Sequence, residues 1–179
     1  MQRKLLINIH LYLAAFFSPL LIITAISGGL YLMGEKGFTE EKVIYSGNMS
    51  EYDFDATDKE SQVQQFLSKH NIKHNFEYIK GNSTSSYTRP TSRSHLLFKK
   101  ENNKLVVVKR APNFVATIIE LHKGHGPRAF KVFQKIMAVG LLLIVVSGLI
   151  LGLTSNLLRG KTLAISSVGL AIFLFFVLF

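Results

Sequence analysis

The chain has no cysteine and no tryptophan, and all eleven of its acidic residues fall between Glu35 and Glu120. Without cysteine there are no disulfides, no thiolate nucleophile and no Cys-based metal site, which leaves histidine as the strongest available metal ligand. There are six histidines. A Gly-rich phosphate loop, a nucleophile elbow and an HExxH helix are also missing, so the common signatures of nucleotide, ester and zinc-peptidase chemistry are excluded. Because no Asp or Glu lies in any apolar run, nothing there could relay ions, and a transporter subunit is disfavoured.

What is abundant is apolar sequence, in three places: residues 5–33, 136–153 and 163–179. A bilayer core about 30 Å thick needs about 20 apolar residues to be crossed as a helix. The first run is ample, the second suffices when Ala129–Ile136 extends it, and the third is at the lower limit. The expected organisation is therefore a transmembrane helix over 5–33, a water-exposed domain over 34–128, and transmembrane helices over 129–153 and 163–179. Arg3, Lys4 and the following apolar run resemble a signal peptide. The run is too long for one and continues through Leu30–Met33, so it reads as an uncleaved anchor. Arg3, Lys4, Arg159 and Lys161 flank short segments and favour a cytoplasmic N-terminus, with the 34–128 domain outside. Lys123, Arg128, Lys131 and Lys135 oppose that bias from the other side of the second span.

Within the domain, Lys42–Ser46 and Phe76–Lys80 read as strands. Leu96–Lys100 and Leu105–Lys109 form a hairpin across Glu101-Asn102-Asn103-Lys104. Thr57-Asp58-Lys59-Glu60 reads as a capping box opening a helix with Val63, Phe66 and Leu67 on its apolar face. Gly81–Arg93 reads as a Ser/Thr-rich loop, and Ala111-Pro112-Asn113 as a break in the sheet pattern. The sum is a small α+β module, too small for a deep site of its own.

His10 lies inside the first apolar run, where an ionisable residue is costly and so a candidate for function. His122 and His125 lie before the second span, where interfacial His and Lys commonly sit with their polar ends in water. His70, His74 and His95 read as surface residues of the module. Gly148-Leu149-Ile150-Leu151-Gly152 and Ser27-Gly28-Gly29 are small-residue patches, suited to close helix contact or to a bulky planar group. The basic excess beside the second span suits lipid headgroups. It is split among membrane flanks, so nucleic acid is not an expected partner.

A basic N-terminus, His10 at the entry of the first span, a β-rich module, Leu121-His122, and a span ending Ser147-Gly148-Leu149-Ile150-Leu151-Gly152-Leu153 together resemble the PepSY-associated transmembrane family. The three-helix layout is most similar to its small VciB-type ferric reductases. The layout matches over nearly the whole chain, the motifs only around His10 and Leu121–Leu153. The family's Trp near the first His is absent, and the stretch after Leu-His is shortened to Lys123–Arg128. The resemblance implies a PepSY-like extracytoplasmic domain and b-type haem held by intramembrane histidines. His10 and His122 match the family positions, with His125 a further candidate without a clear counterpart.

On that basis the expected function is a haem-b ferric reductase of the bacterial inner membrane, passing electrons to ferric iron or a ferric chelate outside the cytoplasm in support of ferrous iron uptake. No nicotinamide or flavin fingerprint occurs, so electrons are expected from a quinol or a partner reductase. The alternative is a non-enzymatic membrane-anchored interaction or inhibitor module. A homodimer is also expected. With the N-terminus inside, His10 and His122 lie near opposite ends of a core about 30 Å thick. His122 and His125 share one helical face, so that pair cannot sandwich a haem. A second histidine is then expected from an identical chain.

Overall fold

The computed structural model describes residues 3–179. Three of its helices are long and apolar enough to cross a membrane: α1 (Arg3–Leu32), α4 (Arg128–Leu153) and α5 (Arg159–Leu178). The protein is a membrane protein. Between α1 and α4 the chain forms β1 (Thr39–Asn48), α2 (Lys59–Lys69), β2 (Tyr78–Gly81), β3 (Ser85–Arg89), β4 (His95–Glu101), β5 (Lys104–Pro112) and α3 (Phe114–His122). The contacts divide the chain into two compact units, one made of the segment up to Leu21 with Lys135–Phe179, the other of Ile22–Gln134.

In the first unit, Pro19 lies inside α1 and cannot donate to the carbonyl four residues back. Ser18 supplies that bond instead, its hydroxyl donating to Ala15 O at 3.0 Å, as polar side chains do in apolar helices. Phe17 is buried against Gly140, where any side chain would collide with the ring. Gly152 faces Thr162 of α5 in the same way. The small residues near the end of α4 are thus occupied within the chain. α5 buries none of its residues, as expected of an apolar helix with lipid around it.

In the second unit, the five strands form one antiparallel sheet in the order β1-β5-β4-β3-β2. Strand alternation separates its faces. One face carries Leu96, Phe98, Leu105 and Val107, packed with Val63, Phe66 and Leu67 of α2 and with Tyr52 and Phe54. The other carries Leu97, Val106 and Val108 with Tyr87. The hairpin between β4 and β5 turns on Asn102 and Asn103, both at positive φ (49° and 59°), the pairing that a two-residue hairpin turn of the right twist needs. Gly34, at φ 87°, ends α1: Glu35 N donates back to Leu30 O at 2.9 Å, closing the helix with a left-handed residue that glycine adopts without strain.

Three local expectations are corrected. The segment expected to be a loop, Gly81–Arg93, contains β3. Its inward residues Ser86 and Thr88 are hydroxylic but fully buried, so no hydrophobic alternation announced the strand. Thr88 Oγ1 accepts from Leu96 N at 2.7 Å and meets His74 Nε2 at 2.9 Å, which removes the cost of burying it. The cap of α2 is Asp58, accepting from Ser61 N at 3.0 Å, rather than Thr57. Finally, β5 runs through Pro112, paired only with Thr39 of β1. β4 begins opposite Arg110, so the proline lies past its ladder.

Candidate functional site

Each unit contains one histidine held in the same way. In the first, His10 of α1 places Nδ1 at 3.0 Å from Ser147 Oγ and 3.2 Å from Ile144 O, both on α4. In the second, His122, the last residue of α3, places Nδ1 at 2.9 Å from Ser27 Oγ and 3.0 Å from Thr24 O, both on α1. Each serine also donates to the carbonyl three residues before it, Ser147 to Ile144 O and Ser27 to Thr24 O, both at 3.0 Å.

That last bond fixes the chemistry. A serine hydroxyl has one proton, and here the helix carbonyl takes it. The hydroxyl oxygen can therefore only accept from the imidazole, and the carbonyl beside it can only accept as well. Each ring must carry a proton on Nδ1, and in the neutral imidazole that leaves the Nε2 lone pair free. Among the described residues, neither Nε2 has a hydrogen-bond partner. A histidine that donates through one nitrogen to a carbonyl or hydroxyl and offers the other is the oriented form found in metal and haem ligation.

The residue after each serine is glycine, and the reason is space. A Cβ at Gly148 would lie 3.2 Å from His10 Cε1, and one at Gly28 would lie 3.1 Å from His122 Cε1. Any side chain longer than a methyl at either place would occupy the position of the imidazole. The two cradles are thus Ser-Gly pairs on helices, each with the carbonyl that takes its serine's proton one turn back. Both serines are buried.

The other histidines are placed differently. His125 Nδ1 lies 2.8 Å from Glu120 Oε2, outside either cradle. His70 pairs with Glu51 at 2.6 Å and packs at a tilt against Tyr45 and Phe66. His95 is buried, contrary to the surface position expected, and its Nδ1 donates to Arg93 O at 2.9 Å. Burial pushes the His74 and His95 imidazoles below their ordinary value of 6.5, in both cases with help from nearby cations. Among the described residues no group of three or more His, Asp or Glu converges to hold a bare metal ion.

The residues that sequence reasoning missed are the acceptors: Ser27 and Ser147, with the carbonyls of Thr24 and Ile144. Their signal was present as the Ser-Gly pair near the end of each of two spans, read only as small-residue patches.

Three spans and an inserted antiparallel sheet with two helices define a polytopic membrane protein with an α+β module, in which histidines are docked on small residues of the spans. The chain belongs to the PepSY_TM-like family, whose model matches residues 47–179. No curated protein matches it, and no solved structure does.

Proposed function

We propose that the protein is a haem-b electron-transfer protein of the bacterial inner membrane that reduces ferric iron or a ferric chelate outside the cytoplasm, in support of ferrous iron uptake. The observation that carries this reading is the pair of cradles, each holding an imidazole with Nδ1 engaged and Nε2 free. His10 and His122 would hold the haem through their Nε2 atoms. When bound, haem supplies one-electron exchange between its ferric and ferrous states.

The chain's own residues then do two things. Ser147 and Ser27, with the carbonyls of Ile144 and Thr24, hold each ring in one tautomer and one orientation. Gly148 and Gly28 keep the ring against the helix. His10 is partly buried and His122 exposed, which would set the two apart, since both burial and second-partner hydrogen bonding tune a haem potential. Each cradle holds a single histidine, so bis-histidine ligation would draw its second nitrogen from an identical chain in a homodimer. The N-terminus would be cytoplasmic, the sheet domain periplasmic, and electrons would arrive from a quinol or partner reductase.

The absorption spectrum of the purified protein tests the reading, since only a haem protein shows a Soret band. Its absence would leave the membrane-anchored interaction module as the better account. Orientation is tested by alkaline phosphatase fusions: one near Asn82 should be active and one near Asn156 inactive. The reverse pattern would remove the ferric-reductase reading.

A further inference from the structure

The second face of the sheet ends in a cavity of about 370 Å³ between the sheet and α3. Strand alternation and register build it. Tyr87 and Arg89 are two apart on β3, His95 opens β4, and Arg110 on β5 lies directly opposite His95. All four side chains therefore project from the face that carries Leu97 and Val108 further along. Lys36, Arg89, Arg110 and Lys123 line the cavity, with Glu120 as its only carboxylate.

That carboxylate is already committed. Glu120 Oε1 accepts from Lys123 at 2.8 Å, and its Oε2 accepts from Thr91 at 2.5 Å and meets His125 at 2.8 Å. Burial would raise its pKa, but these bonds outweigh burial and hold it at about 2. The guanidinium groups are less well served. Arg89 is 9% exposed; its Nη1 donates to Thr91 at 2.7 Å and lies 4.0 Å from Glu120. Arg110 Nη2 reaches Glu41 at 2.6 Å. The Nε of each arginine is buried and has no acceptor among the described residues. Buried donors are normally paired, and both arginines that carry an unpaired one line this same cavity.

We propose that this cavity is a binding site for a small oxyanion, a compound bearing two or more carboxylate or phosphate oxygens. Two arginines, on β3 and β5, the strands that flank β4, offer the forked donors that match such oxygens two at a time. The volume is at the small end of ligand pockets. A free cation is repelled by the same four positive groups. The site does not depend on haem, and its chemistry can be met by a soluble anion or by the phosphate of a lipid headgroup.

The test is calorimetric titration of the full chain in phosphatidylcholine nanodiscs at low salt, with citrate and with inorganic phosphate. One saturable site is expected. Arg110→Gln should weaken it about tenfold or more, as loss of a charge-assisted bond does. Lys36→Gln, on an exposed loop where folding is not at risk, should weaken it by a smaller factor. Repeating the titration in a maltoside detergent, which carries no phosphate, with and without added phosphatidylglycerol, separates the sources: competition with citrate assigns the site to lipid phosphate, and unchanged binding assigns it to a soluble anion. Equal affinity in wild type and both variants, or no saturable binding of either probe, would overturn the proposal.

Discussion

His10 and His122 reach matching cradles from unlike backbones. His10 sits within a thirty-residue helix and is partly buried, whereas His122 ends a nine-residue helix and is exposed. The receiving side is nearly identical in the two: a serine donating to the carbonyl three residues back, then a glycine. The donor element is free to vary because the device belongs to the receiving helix. A serine hydroxyl in an apolar helix has nowhere to send its proton except back to its own backbone. Once it has done so, it presents only acceptors, and the incoming imidazole has one tautomer that fits.

The equivalence is open to direct attack. The largest effect is expected from removing the proposed ligands. His122→Ala and His10→Ala should each lose bound haem and ferric reduction, while His70→Ala should lose neither. Full haem occupancy in both cradle variants would end the ligand assignment. Next come the receiving helices: Ser147→Ala and Ser27→Ala should each weaken haem retention about 10- to 100-fold, the usual cost of losing a ligand's outer partner. A loss in one and none in the other, read from the Soret band after detergent washing, would break the comparison. Gly148→Leu and Gly28→Leu should resemble the histidine variants, because the new side chain takes the place of the ring.

Smaller effects sharpen the contrast between cradles and sheet. Thr88→Val removes the acceptor used by Leu96 N and the partner of His74, leaving buried groups unpaired at a cost of about 1–3 kcal/mol. The thermal midpoint of the full chain in detergent should fall while the Soret band is unchanged.

The pH dependence of that midpoint provides the last check. His74 and His95 have folded pKa values below 6.5, so the unfolded chain binds protons first. Stability is full above pH 6.5 and is lost as pH falls through and below that value. Glu120, held at about 2 against an ordinary 4.5, adds a second loss between those two values. Glu120→Gln should shrink that second loss, to which Glu51, also held at about 2 by Lys69 and His70, contributes as well, while the loss due to the imidazoles persists. A midpoint flat from pH 7 to pH 5 would contradict the burial of the two imidazoles.

Much of the architecture was legible because it rests on periodicity and length. The three spans follow from apolar runs, α2 from Val63, Phe66 and Leu67, and the β4–β5 hairpin from two asparagines between alternating strands. β3 was not legible, since Ser86 and Thr88 become interior only by pairing with β4 and by receiving His74. His95 was misjudged for a related reason: nothing adjacent in sequence shows that Arg110 and α3 close over it. The cavity on that face, which a module of this size was not expected to hold, depends on the same long-range pairing.

The sequence by itself determined that the chain enters a membrane, that histidine is its strongest available metal ligand, and that carboxylates are confined to one stretch. Those properties are carried by residue identity and need no partner. The family resemblance already singled out His10 and His122; only the tertiary structure decided how each ring is held, because a tautomer is set by the atoms across from it. His10 is 134 residues from the Ile144 carbonyl and His122 is 95 from Ser27. No local pattern records that each imidazole would find a serine whose proton was already committed.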